Sequence, residues 1–435
     1  MDNLPDDRGG DVPKIGWQLR LYLALRPILQ PVMRRLVARR VAKGKDDPAR
    51  APEKLGQPGL ARPEGALIWI HAVGLGEVLA LRPLLVEMGR IRPDLHFLVT
   101  STARSSAQVF NQNLPPRVLH QFLPLDGPRY VARFLDHWRP DVSIWSEQDL
   151  WPGAIFDAAR RRIPLAYINA RISQEGFERR RKLKSGFQNL MQMFAYVAAQ
   201  DEASARYLER LGALDVQVMP SLKPAAEPLS ADSNALSSLR QDLQGRRVWV
   251  LASSHPADET VAIAAHKQIL HADPTALLII VPRAPERGFE ICEILTSEGM
   301  LSAQRSQGQG IAASHQVYVA DTLGELGLWY RLADVACIGG SFGDTQGHNP
   351  WEAIVLGCPV ISGPNTANFA NDYDVLGASG LSQRIALGQG MEMLLAEAVA
   401  QSAEEGTAQK VSTLVSSARE DIWPLALKLL SLARS

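Results

Sequence analysis

Residues 66–85 read ALIWIHAVGLGEVLALRPLL. An apolar run, ALIWIHAV (66–73), enters a glycine turn, and a helical pattern starts at once. A strand that feeds a helix through glycines is the opening unit of a doubly wound α/β sheet. The same order repeats on the C-terminal side. Strands are expected at HFLVTS (96–101), VLHQFLP (118–124), DVSIWS (141–146) and PLAYINA (164–170), with a weaker one at YVAAQ (196–200). Helical patterns fall near 77–90, 103–111, 128–137, 152–162 and 202–211. Strand–helix alternation implies a mostly parallel sheet covered on both faces.

A break follows at MPSLKPAAEPLSADSNALSS (219–238), rich in Pro, Ser and Ala. Alternation resumes with RVWVLASS (247–254), ALLIIVPR (276–283), QVYVADT (316–322), VACIGGS (335–341) and PVISGP (359–364). The chain therefore reads as α/β, with two doubly wound, Rossmann-like domains facing an interdomain cleft. The expected division is an N-terminal basic segment (1–62), a first domain (63–220), a linker (221–246), a second domain (247–415) and a last helix (416–435) that packs back on the first domain. Ligands of such sheets bind at the carboxyl ends of the strands.

Composition limits the function. The 435 residues hold 46 Lys or Arg against 46 Asp or Glu, so no nucleic-acid partner is expected. Cys292, Cys337 and Cys358 form neither a metal pattern nor a disulfide framework, which fits a reducing cytosol. The charge balance hides a local bias. Residues 14–45 carry nine Lys or Arg and no acid. Leu21, Leu25, Ile28, Val32 and Leu36 recur there at helical spacing, while Arg26, Gln30 and Arg34 share another side. Arg20, Arg26, Pro27 and Pro31 interrupt the apolar run, which argues against a clean membrane span. This basic amphipathic helix suits an anionic membrane surface, or packs on its own domain.

The richest stretch for chemistry is CIGGSFGDTQGHNPWEAIVLGCPVISGP (337–364). A strand opens into a glycine loop containing Gly347 and His348. Asn349 suits an N-cap and Pro350 the first helical position. Free N–H groups at a helix start make an anion site. Glu352, in the first turn, can accept hydrogen bonds from a ribose diol or simply complement the helix dipole. Other strand ends carry Ser253, Ser254 and His255; Arg283, whose planar fork suits phosphate; and Thr322, Gly324 and Glu325. In the first half, Glu147 ends a strand, ready to fix an acceptor hydroxyl or orient a donor sugar. Trp151 offers an apolar wall or ordinary packing. The run 158–184 has nine Lys or Arg against two acids. It reads as a solvated face or as a surface for phosphates, with Arg171 nearest a strand end. Asp372-x-Asp374 reads as capping rather than as a metal motif.

Taken together, GKDDPARAPEKLG, WIHAVGLGEV, SEQDLWPGAI, INARIS, AQDEASARYLERLGA, SSHPADE, VPRAPER, DTLGELGLWYRLADVACIGGS and GHNPWEA, from about residue 44 to 376, resemble the 3-deoxy-D-manno-octulosonic acid (Kdo) transferases of lipopolysaccharide synthesis. The resemblance implies the GT-B fold and inverting transfer of Kdo from CMP-Kdo to a lipid A precursor, lipid IVA. It places the enzyme at the cytoplasmic face of the inner membrane, peripheral or N-terminally anchored, in contact with that anionic surface. It implies Glu77 as the base that deprotonates the acceptor. Gly74, Gly76, Glu147, Asn169 and Arg171 fall on the acceptor or donor-sugar side. Ser253, Ser254, His255, Arg283, Thr322, Gly324, Glu325, Gly347, His348, Asn349 and Glu352 fall on the CMP-Kdo side. No cofactor and no metal are expected, because a CMP leaving group carries one phosphate.

Four departures from the family pattern stand out. Gln346 takes the place of the first glycine before HNP, and Ala353 that of a proline after the ribose glutamate. EQDLWPG stands for ETELWPN, and Gly74-Leu75 for Ser-Val before Gly-Glu. Two rival functions stay open: a sugar-nucleotide epimerase on the same fold, and a lipid-binding paralogue without transferase activity.

Overall fold

The computed structural model describes residues 15–73, 75–102, 115–147, 149–219, 221–402 and 407–433, with their side chains except those of 75–79 and 184. The expected helix at 103–111 and the position of Gly74 lie outside the described residues. The chain divides into two units, Met1–Glu227 with Ala418–Ser435, and Pro228–Ser417.

Unit 1 is built on seven parallel strands: β1 (Leu67–His71), β2 (His96–Ser101), β3 (Val118–Phe122), β4 (Val142–Ser146), β5 (Leu165–Ala170), β6 (Tyr196–Ala199) and β7 (Val216–Val218). Their order is β3-β2-β1-β4-β5-β6-β7. The order reverses between β1 and β4, so loops after these two strands diverge and open a crevice at their carboxyl ends. Ile68, Ile70, Val99 and Ile144 pack on the helix Leu75–Ile91 and on the C-terminal helix Ile422–Leu430. Leu67, Trp69, Leu98 and Trp145 pack on the other face, against Phe134, Trp138 and Ile155. Burial on both faces explains why these strands read as continuous apolar runs rather than as alternation.

Unit 2 repeats the plan with β8 (Val248–Ser254), β9 (Leu277–Pro282), β10 (Ser302–Gln304), β11 (Val317–Val319), β12 (Val335–Ile338), β13 (Val360–Ser362) and β14 (Ser382–Arg384), ordered β10-β11-β9-β8-β12-β13-β14. Its switch point lies between β8 and β12. The stretch 221–246 is not a bare linker. It holds a short 3-10 turn at Lys223–Ala225 and the helix Ser233–Asp242, capped by the Asp232 carboxylate, which accepts the Ala235 N–H.

The described part of the segment 1–62 belongs to unit 1. The helix Trp17–Ala42 runs on through Pro27 and Pro31. One buried cation ties it down. Arg26, 3% exposed, donates from Nε to the Asp126 carbonyl (2.7 Å) and from Nη2 to Asp126 Oδ1 (3.2 Å) and Asp157 Oδ2 (2.9 Å). Asp126 also accepts from the Tyr22 hydroxyl (2.5 Å) and the Gly153 N–H (2.7 Å). The helix thus turns Arg26, with Leu19 and Val37, toward the body and leaves an apolar stripe outward, among the exposed Arg20, Arg34, Arg35 and Arg39. Trp17, Ile28 and Val32 are 68%, 70% and 58% exposed, and Leu21, Leu25 and Leu36 are exposed beside them. No helix of the described residues is long and apolar enough to cross a membrane.

Candidate active site

At the unit 1 switch point, the helix Leu75–Ile91 begins directly after β1, with Gly76 and Glu77 in its first turn. The Glu77 side chain lies outside the described residues. Beside it, β4 ends and Glu147 turns into the left-handed region (φ 61°). Its Oε1 accepts from Asn169 Nδ2 at 3.1 Å and lies 3.4 Å from the ammonium of Lys223. Asn169, near the end of β5, is also left-handed (φ 51°), and its carbonyl accepts from Gln200 Nε2 at 2.9 Å. Two strained, non-glycine residues at adjacent strand ends, each held by side-chain bonds, mark a preorganised site. Arg171 follows at the end of β5, half-buried.

Three members of this neighbourhood were not singled out from the sequence. Lys223 is buried in the Pro-rich break, where composition reads as loop. His71 ends β1 fully buried, with Nδ1 3.0 Å from Thr100 Oγ1 and Nε2 3.4 Å from Asp149 Oδ2. Asp149 is held below the usual carboxylate range; burial raises it, but the bonds from His71 and Trp151 prevail. Trp151 packs against the core beneath this sheet end. The basic run is partly structural: Arg180 stacks over the Phe187 ring (5.5 Å), and Arg181 pairs with Glu178 at 2.7 Å.

In unit 2 the glycine loop after β12 is latched by one carboxylate. Asp258, fully buried, accepts four N–H groups: Gly340 (2.7 Å), Ser341 (3.1 Å), Phe342 (3.0 Å) and His255 (2.9 Å). Gly339 is required here, because a Cβ would sit 2.4 Å from the Ser253 carbonyl of β8. Ser253 itself is left-handed (φ 56°), where the β8–β9 register shifts. The signal for Asp258 was its place three residues after His255 in HPAD, a capping-box spacing.

The latch brings His255 and His348 together. Their Nε2 atoms are 2.9 Å apart, and the rings stack at 14°. One ring must donate and the other accept. Burial first, then the charges of His255 and Arg283, hold His348 down at about 4, so it is neutral at neutral pH. Arg283 follows β9, exposed, with its N–H on the Ser254 carbonyl (3.0 Å). Ser254 Oγ donates to Glu259 (2.8 Å), which Arg287 also holds (2.7 Å). Gly347 (φ 81°) donates to the Gly340 carbonyl at 2.7 Å. Asn349 Oδ1 accepts the Trp351 N–H (3.1 Å), and its amide reaches Glu352 at 3.4 Å. Burial pushes the Glu352 carboxyl up, against the Asn349 bond and the charge of Arg283.

Thr322, Gly324 and Glu325 form a separate group. Glu325 accepts from Arg305 (2.6 and 3.0 Å) and from the Thr322 hydroxyl, so its carboxylate is already matched. Gly324 (φ 85°) has open space where a Cβ would stand. No bond among the described residues links this group to the histidine pair. Asp372 accepts from the Trp351 indole (2.8 Å) and Asp374 pairs with Arg384 (3.2 Å), so the first holds the helix after the glycine loop and the second faces solvent. No group of three or more His, Cys, Asp or Glu side chains among the described residues could hold a metal ion.

Comparison with known proteins adds the chemistry. A family model described as 3-Deoxy-D-manno-octulosonic-acid transferase (kdotransferase) matches residues 49–226. A probable mitochondrial 3-deoxy-D-manno-octulosonic acid transferase of Arabidopsis thaliana is 33% identical over 93% of this chain and 94% of its own. The 3-deoxy-D-manno-octulosonic acid transferase of Haemophilus influenzae is 31% identical over 82% and 84%. This chain belongs to the Kdo transferase family. It is a glycosyltransferase, and the epimerase rival loses its ground. A solved UDP-GlcNAc 2-epimerase of Neisseria meningitidis covers 84% of this chain and 100% of its own at 14% identity, with a TM-score of 0.57. That likeness shows the fold alone, which is of the GT-B class.

Two departures of this Kdo transferase from the family pattern now have physical readings. The glycine of EQDLWPG leaves room for Arg26, for a Cβ on Gly153 would fall 2.2 Å from the guanidinium carbon and the buried arginine would have to shift. The buried arginine and the missing side chain go together. Gln346, by contrast, keeps the left-handed backbone (φ 68°) that a glycine adopts without strain.

Proposed function

We propose that the enzyme transfers Kdo from CMP-Kdo to a lipid A precursor, with inversion, at the cytoplasmic face of the inner membrane. The acceptor hydroxyl attacks the anomeric carbon as the bond to the CMP phosphate breaks, and CMP leaves with the electron pair. Glu77 takes the hydroxyl proton. Glu147, fixed by Asn169 and Lys223, accepts a hydrogen bond from a sugar hydroxyl; Arg171 meets a carboxylate or phosphate. The glycine loop and Arg283 take the CMP phosphate, and Glu352 takes the ribose. No metal enters this scheme. The observation that carries it is the placing of Glu77 in the first helical turn after β1, next to the strand that ends in Glu147.

Membrane contact is supported by the outward apolar stripe of the helix Trp17–Ala42, flanked by Arg20, Arg35 and Arg39. The decisive assay supplies CMP-Kdo and lipid IVA to purified enzyme. Glu77→Gln is expected to lower kcat by at least about a hundredfold, since general-base catalysis contributes roughly 10²–10⁴. CMP-Kdo affinity should be kept. A kcat within threefold of wild type would remove Glu77 as the base.

A further inference from the structure

Beside the outward stripe lies a groove that the transfer chemistry does not use. It has a volume of about 910 Å³ and is walled by the helix Trp17–Ala42, the 3-10 turn Ala51–Leu55 and the helix Pro128–Trp138. Arg34 and Arg35 line it from one wall and Arg129 and Arg133 from another, over a floor that includes Pro31 and Tyr130. No carboxylate lines it. None of the four guanidiniums is ion-paired among the described residues. Arg40, Arg50 and Lys54, nearby in the chain, are all matched to Asp46 or Glu53. Four unmatched cations around one hollow repel one another, and an anion relieves that repulsion.

Two contacts tie the walls of the groove together. Tyr130 donates its hydroxyl to the Gln30 carbonyl (3.2 Å) across the groove. Gly127 lets the helices meet, for a Cβ there would lie 2.9 Å from Gln30 Cγ. Arg129 and Arg133 stand in the first two turns of a helix that starts at the carboxyl end of β3, where the helix dipole is positive. Helical spacing sets Pro27, Pro31 and Ala38 about 120° around the helix from the stripe formed by Leu21, Leu25, Ile28, Val32 and Leu36. With that stripe in the acyl layer, the groove side of the helix faces away from the chains, toward the headgroups.

We propose that this groove is a binding site for the phosphate of an anionic bilayer lipid, which fixes how unit 1 sits on the membrane. The inference rests on the membrane reading above, and the test separates the two. Full-length enzyme is sedimented with vesicles of phosphatidylcholine alone or with phosphatidylglycerol, and titrated with soluble dihexanoyl-phosphatidylglycerol. The double variant Arg129→Gln/Arg133→Gln should lose at least tenfold in affinity for both anionic probes. Arg206→Gln/Arg240→Gln removes the same charge at exposed positions elsewhere and should stay within threefold of wild type. All four positions are exposed, so thermal melting should show intact folds. Equal losses in the two variants, or no loss in the first, overturn the groove while leaving membrane binding standing. Failure of wild type to sediment, with the soluble lipid still bound in an Arg129- and Arg133-dependent way, sinks the membrane reading and keeps the groove. Wild type that binds neither anionic probe overturns both.

Discussion

Arg26→Met is the sharpest test of how the N-terminal helix is held. The substitution keeps most of the apolar stem and removes the charge. Asp126 then stays buried with only the Tyr22 hydroxyl and the Gly153 N–H. Removing one partner of a buried pair costs about 3–5 kcal/mol, mainly the penalty of the charge left behind. Because the pair joins the helix Trp17–Ala42 to the loop after β3, the loss appears first as local opening of that helix. A cost of about 3 kcal/mol corresponds to roughly a 150-fold rise in amide hydrogen exchange, capped at the unprotected rate. Exchange across residues 17–42, read against β1 and β4 as internal standards, measures it.

The pH dependence has a definite sign. Burial already raises the Asp126 carboxyl, and Arg26 opposes that rise. Without Arg26 the folded-state value climbs further above the unfolded one. The variant's helix is therefore best held below the unfolded carboxylate range, and its stability falls as pH rises through the folded-state value. The defect should shrink from pH 7 to pH 5. Protection of 17–42 within threefold of wild type at pH 7 refutes the anchoring role, and a defect that grows on acidification refutes its assignment to Asp126.

Gly153→Ala should reproduce the helix release without touching either charge, because its Cβ takes the space of the Arg26 guanidinium; unchanged exchange at 17–42 would contradict this. Asp258→Asn leaves an amide that cannot accept at both ends, so some of the four latched N–H groups lose their partner. Unit 2 should lose about 2–3 kcal/mol by urea denaturation, and CMP should bind more weakly; a shift under 0.5 kcal/mol, about the scatter of surface substitutions, speaks against the latch. His266 accepts the Trp249 indole N–H at Nδ1 (3.1 Å) and donates from Nε2 to the Gln316 carbonyl (2.8 Å), and burial holds it down at about 4. The unfolded imidazole titrates near 6.5, so stability falls as pH drops from there to 4, by about 3 kcal/mol for this group. His266→Gln should flatten that part of the acid dependence in denaturation at pH 7 and 4.5; an unchanged slope rejects it.

The long buried strands were legible because burial on both faces writes them as unbroken apolar runs: β1, β8 and β9 coincide with ALIWIHAV, RVWVLASS and ALLIIVPR to within two residues. The three-residue strands β7, β10 and β14 were not, since VQV, SAQ and SQR are too short and too polar to carry a period. The helix Ser233–Asp242 hid inside a Pro- and Ser-rich stretch for a related reason: its single buried residue, Leu239, leaves little apolar pattern. Of the two readings of the basic helix, packing on its own domain could not be tied to a residue in advance, because a lone arginine reads as surface until Asp126, one hundred residues away, is seen to receive it.

The sequence by itself determined the two α/β halves, the glycine loop with His348 and Asn349, and the acids at strand ends, because each is written in a few consecutive residues. Only the tertiary structure decided which of them meet. His255 finds His348 across 93 positions, and Glu147 finds Asn169 and Lys223. Glu325 is taken by Arg305. Four arginines from two distant helices share one groove. Local pattern fixes the elements, whereas long-range pairing depends on how strand order and helix packing fold separate segments together, which no short window of sequence contains.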